Sequence, residues 1–270
     1  MKAKVLADNT PDGEIKGEWG LSIYIEYNDK RILLDTGASD LFAVNAEKYG
    51  IDLKTVDFAV LSHAHYDHAG GMEEFFRIND RAKFYIRESS GENCYYKKYL
   101  IKKYLGIPKG VLEKYNDRIV FAEGDYRISE GVYLIPHKYP NRDRIGIREN
   151  MYIRKAGRWL PDDFSHEQSL VFETGKGLFV FSSCSHAGAG SIIKEVRKTF
   201  PGSDVAGIIG GFHLFNKTDE EIIDFAANLK KNGTGYICTG HCTGEKALGM
   251  LENKLGKTVN RLHVGLEIEF

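Results

Sequence analysis

Apolar and polar positions alternate over residues 21–27, and Asn28-Asp29 follows as a two-residue hairpin turn. The pattern resumes over 31–34 and ends in Asp35-Thr36-Gly37, so the two runs read as paired strands. Residues 41–49 carry helical spacing, with Gly50 as the stop. Residues 56–61 form a near-continuous apolar run, as expected of a strand covered on both faces. That run leads straight into Ser62-His63-Ala64-His65-Tyr66-Asp67-His68. A further short strand is predicted over 83–86.

From about 89 to 163 the periodicity weakens. The first part interleaves Lys97, Lys98, Lys102, Lys103 and Lys109 with tyrosines; the second carries Arg142, Arg144, Arg148, Arg154, Lys155 and Arg158. Without a long apolar pattern of its own, this span reads as a specificity insertion on one main domain covering 1–270. Regularity then returns. Residues 169–173 and 178–181 read as a hairpin, 191–200 as a helix, and Thr218 with Glu221 as a capping box opening another helix. A strand over 236–239, a helix over 244–255 and a closing strand over 262–270 complete the chain. Strands and helices in this order, twice over, predict an α/β architecture with two sheets.

Composition narrows the function classes. A net charge of −1 gives no global attraction to nucleic acid or to an anionic membrane. The first residues lack an apolar stretch of signal-peptide length, and no segment approaches the roughly 20 apolar residues of a membrane span. A cytoplasmic location is the expectation. Four cysteines, Cys94, Cys184, Cys238 and Cys242, are too few and too uneven for a disulfide framework, and are expected as thiols. No Gly-x-Ser-x-Gly elbow or Gly-x-Gly-x-x-Gly fingerprint points to a serine hydrolase or a dinucleotide enzyme.

The chemistry concentrates in His63-x-His65-x-Asp67-His68. Four ligand-type side chains in six residues, on a loop after a buried strand, suit a borderline metal such as zinc or iron. An isolated histidine is more often a packed or solvated one; this density is not what that reading predicts.

This segment, with Leu33-Leu34-Asp35-Thr36-Gly37 before it, resembles the metallo-β-lactamase superfamily. The resemblance covers most of the chain and implies a four-layer αββα sandwich with two mixed sheets flanked by helices. It implies that His63 and His65 serve one metal and Asp67 and His68 a second, with two divalent ions in all: zinc first, manganese or iron as alternatives. The family's third histidine would fall at His166, with Glu167 as rival. Its bridging carboxylate is replaced by Cys184, with His186 as competitor, and its last histidine by His241. Cys238, His241 and Cys242 as a structural zinc cluster is an alternative that lacks a fourth ligand. His213, after Gly210-Gly211, is assigned to substrate binding, with proton transfer and quiet packing left open; His137 and His263 read as structural.

The segments 166–170, 183–188, 210–214 and 240–244 resemble one branch, the metal-dependent hydrolases of β-lactamase superfamily II, some of whose members are named dihydropterin ribofuranosylaminobenzene 5′-phosphate synthases. The expected function is hydrolysis of a small, anionic, phosphate-containing substrate by a metal-activated water, with Asp67 as base or orienting group. The alternatives are a synthase-type transfer and a non-catalytic metal-binding module. The expected partner is a small molecule, with neither nucleic acid nor membrane involved.

Overall fold

The computed structural model describes residues 1–138 and 142–270; residues 139–141, inside the expected insertion, lie outside them. Two seven-stranded sheets face each other. The first runs in the order Glu267–Glu269, Lys2–Ala7, Ser22–Tyr27, Lys30–Leu34, Phe58–Val60, Lys83–Arg87 and Ile119–Ala122. It is antiparallel up to Lys30–Leu34 and parallel beyond. The second runs Val259–Arg261, Tyr236–Thr239, Val205–Gly210, Gly177–Phe181, Gln168–Thr174, Val132–Pro136 and Tyr126–Ser129, parallel in its first four strands and antiparallel in the rest.

The two-residue period of a strand sorts its side chains into layers. Ile32 and Leu34 face the second sheet, where they share one core with Leu170, Phe172, Phe181 and Ile209. Leu33, between them, turns outward to Phe42, Ala46, Met72 and Phe75 on the helices Leu41–Lys48 and Met72–Ile78. Across the molecule Val171, Val180 and Ile208 face outward to Ile192, Ile193, Ala226 and Leu251, on the helices Ala189–Thr199, Asp219–Lys231 and Glu245–Leu255. Helix, sheet, sheet, helix is the expected four-layer order. Truncating a residue such as Phe172, fully buried between the sheets, would cost about 3–5 kcal/mol.

Several predicted elements stand: the turn at Asn28-Asp29, where Asn28 takes φ 53°, and the Thr218–Glu221 capping box. Three expectations change. The span 89–163 is not one insertion, because Ile119–Ala122 lies in the first sheet and Tyr126–Ser129 and Val132–Pro136 in the second. What stands apart is an antiparallel four-stranded sheet of Arg158–Pro161, Met151–Lys155, Cys94–Lys98 and Ile101–Tyr104. Its short strands, exposed on much of their surface, carry no apolar alternation by which to be recognised. The closing strand over 262–270 shortens to Glu267–Glu269, after a separate short strand. Val259–Arg261 pairs with Tyr236–Thr239, the chain turns at Gly265 with φ 80°, and Glu267–Glu269 pairs with Lys2–Ala7 on the other sheet. Lys2–Ala7, whose first half carries Lys2 and Lys4, is a strand outside the predicted elements.

Candidate metal centre

The parallel strands place the chemistry. Leu34 is level with Val60, Phe181 with Ile209, and Gly210 with Thr239, so the loops after them leave the same edge of the sandwich. Open α/β sheets commonly carry their sites at such carboxyl ends. Asp35, His63, His65, Asp67, His68, Cys184–His186, His213 and His241–Cys242 all lie on these loops, and all are buried. Asp35, Ser185, His213 and His241 adopt φ between 48° and 58°, a left-handed backbone that costs non-glycine residues energy and clusters at functional sites.

Two donor groups bear on the predicted ligands, beside a cluster of His65, Cys94, Asp162 and His166 whose donor atoms also lie within 4.8 Å of one another. The first gathers His63, His65 and His186; the second gathers Asp67, His68, Cys184 and His241. The donor atoms of His63, His65 and His186 lie within 4.8 Å of one another, and so do those of Cys184, His241 and Cys242. In the second group Cys184 Sγ is 3.3 Å from His68 Nε2, and Asp67 Oδ2 is 3.5 Å from His241 Nε2 and 3.7 Å from His68 Nε2. His63 and His68 rings are 4.2 Å apart between centroids, which puts the two groups side by side.

The second nitrogens show why these rings point inward. His68 Nδ1 is 2.9 Å from Asp35 Oδ2, His63 Nδ1 is 2.9 Å from Ser62 Oγ, and His241 Nδ1 is 3.0 Å from Asn9 Oδ1. Asp35 also accepts from the Ser62 backbone N–H and from the Ser62 and Ser183 hydroxyls, so it joins the first sheet's ligand loop to the second's. Such outer contacts fix ring orientation and tautomer. The opposite nitrogens, His63 Nε2, His65 Nε2, His241 Nε2 and both of His186, are buried and make no hydrogen bond within the protein. Unpaired buried imidazole nitrogens are costly, and metal ions are what such donors fit.

Charge agrees with that reading at the first group. Burial, reinforced by the neighbouring histidines, holds His63 and His186 well below the usual histidine range, so both are neutral and able to ligate. At the second, burial disfavours the charge on His68, but Asp67 and Asp35 outweigh it and raise its pKa to about 9, so His68 would give up a proton on ligating. Burial opposes ionisation of Asp67, but His68 and His241 outweigh it and keep the carboxyl below its usual range.

The expected third histidine is placed differently. His166 Nδ1 accepts the Ala64 backbone N–H at 3.2 Å, so its proton belongs on Nε2, which points at Asp162 Oδ2 (3.1 Å) and Cys94 Sγ (3.7 Å). Both nitrogens are engaged inside the protein, and His186 stands beside His63 and His65 instead. The rivalry between Cys184 and His186 thereby dissolves: Cys184 reaches the second group and His186 the first. Glu167 is turned away from both, to His137 Nδ1 at 2.7 Å and to the His186 backbone N–H at 3.0 Å. His137, whose Nε2 is 2.9 Å from Ser169 Oγ, has the structural role expected of it. Cys238 packs in the core between the sheets.

His213 sits at the mouth of the centre, its ring 4.4 Å from His186 and its Nε2 3.6 Å from Glu149 Oε2. Burial disfavours its charge, but contacts with Cys242 and Glu149 raise its pKa to about 9. His186, His213, Glu149, Arg148 and Lys217 line a cavity of about 310 Å³. Glu149, Asp162, Cys94 and Asn9 escaped the sequence reading. None of them stands in a motif, and only the fold brings each to the site.

Known proteins resemble this arrangement. The model of the metallo-β-lactamase superfamily matches residues 20–241. The chain is 32% identical to the 7,8-dihydropterin-6-methyl-4-(β-D-ribofuranosyl)-aminobenzene-5′-phosphate synthase of Methanocaldococcus jannaschii, over 93% of this chain and 90% of that one. It superposes on the crystal structure of a metal-dependent hydrolase of the β-lactamase superfamily with a TM-score of 0.84 at 28% identity, covering 100% of this chain and 99% of the other. The metallo-β-lactamase fold protein YhfI from Bacillus subtilis shares the fold at 12% identity, with a TM-score of 0.63 and coverage of 100% and 98%.

Proposed function

The chain belongs to the metallo-β-lactamase superfamily, and from that premise we propose that it holds two divalent metal ions, zinc first, and uses them to hydrolyse a small phosphate-bearing substrate. The observation that carries the metal part is the set of buried, unpartnered imidazole nitrogens on His63, His65, His186 and His241. His63, His65 and His186 would hold one ion; Asp67, His68, Cys184 and His241 would hold the other. Bound there, such ions supply a water acidic enough to be a nucleophile near neutrality and polarise the oxygen under attack. This chain's own residues do the rest. Asp35, Ser62 and Asn9 fix the rings, Asp67 offers a carboxylate beside the ions, and His213 faces the cavity as a proton-bearing contact for substrate oxygen.

Arg148 and Lys217 line the cavity, but Glu149 faces both, so an incoming phosphate must compete for them. A second reading, a transfer that joins two substrates, is favoured by the 32% identity to a protein named a synthase. One screen separates them. Phosphate mono- and diesters, lactones and thioesters are offered with zinc, manganese and iron(II). In parallel, a 7,8-dihydropterin with a leaving group on its 6-methyl is offered with 4-(β-D-ribofuranosyl)aminobenzene 5′-phosphate. Release of phosphate or alcohol supports hydrolysis; a joined product with no ester turnover overturns it in favour of transfer.

A further inference from the structure

Cys242 follows the family-type ligand His241, and the two-ion arrangement above has no use for it. Its surroundings nonetheless treat its sulfur as a site atom. Cys242 Sγ lies 3.4 Å from Cys184 Sγ, and its donor atom, that of Cys184 and that of His241 are within 4.8 Å of one another. It accepts the His213 backbone N–H at 3.3 Å, a contact that stabilises a thiolate. Space is reserved for it as well. A Cβ at position 211 would stand 2.5 Å from this sulfur, so Gly211 lets the loop after Val205–Gly210 pass over it. The two sulfurs are fully enclosed and unbridged, with His241 Nε2 unpartnered beside them.

Resting on the two-ion reading, we propose that Cys242 gives the second ion a further sulfur donor, alongside Cys184 and His241. Each thiol would lose its proton to solvent as the ion binds. The consequence is an uneven pair. One place would be made of three neutral imidazoles; the other would draw on Asp67, Cys184 and Cys242, each carrying a negative charge when bound. Two thiolates select a soft ion, and together with Asp67 they more than offset its charge. The ion at His63, His65 and His186 would remain the more electron-poor and the one that polarises water, while the sulfur-rich ion anchors the site.

Cobalt(II) titration of the wild type, Cys242→Ser, Cys184→Ser and the double variant tests this by absorption, independently of turnover. Sulfur-to-cobalt charge transfer in the near ultraviolet should fall to about half in each single variant and vanish in the double, because each thiolate bond contributes separately. An unchanged band in Cys242→Ser, with all of it lost in Cys184→Ser, overturns the proposal and leaves the two-ion reading intact. Uptake of fewer than two cobalt ions by the wild type would instead contradict the two-ion reading itself. Should Cys242→Ser fail to fold, the zinc-loaded wild-type crystal structure decides. A Cys242 Sγ–zinc distance near ~2.3 Å is expected, and one beyond van der Waals contact refutes it.

Discussion

The Glu167 carboxylate accepts the backbone N–H of His186 at 3.0 Å while its other oxygen meets His137 Nδ1 at 2.7 Å. A residue adjacent in sequence to the expected third ligand therefore acts on the histidine that stands in the third place. Glu167→Gln keeps the shape but cannot accept at both oxygens. It should cost about 1–3 kcal/mol of stability, from buried donors left unpaired. It should also weaken the ion at His63, His65 and His186 by about 10–100-fold, as outer-contact losses do. Denaturant unfolding and a metal-competition titration read the two effects; unchanged metal affinity would remove Glu167 from the positioning role.

Asp35 is the corresponding anchor for the second ion. It takes His68 Nδ1, two contacts from Ser62 and one from Ser183. Asp35→Asn puts an amide N–H where acceptors are needed, and should lower affinity for one ion by about 10–100-fold while the other is retained. Two ions held with wild-type affinity in this variant would show that the His68 ring does not depend on Asp35.

His63→Ala and His68→Ala should each abolish turnover while leaving the fold largely intact. Both side chains lie on a loop past the end of Phe58–Val60, outside the apolar layers that hold the sheets together. Circular dichroism should match the wild type, and activity on any substrate found should fall below detection. Near-normal turnover by either variant would remove that residue from the ligand set.

Much of this was legible in the sequence, and the reasons differ by region. The strand over 56–61 and the loop after it could be read because burial on both faces and ligand density are local properties. The placement of Cys184, His186 and His241 near the loop 63–68 came only through a family resemblance, since nothing local says that loops more than a hundred residues apart share an edge. His166 shows where the resemblance misplaces a residue: its position before a strand hairpin suits the family's third histidine, but the Ala64 N–H, Asp162 and Cys94 engage its nitrogens. The four-stranded sheet was missed for a related reason. Its members are separated by strands of the main sheets, and residues such as Tyr99 and Leu100 at its hairpin tip are exposed, so no apolar face marks it.

Metal content per chain in protein purified without chelator tests the central claim most directly, measured side by side for the wild type, His186→Ala and His166→Ala. The structure predicts two ions in the wild type, one in His186→Ala and two in His166→Ala, the last with reduced stability because Asp162 Oδ2 loses its imidazole partner. An ion lost from His166→Ala and kept by His186→Ala would contradict the account.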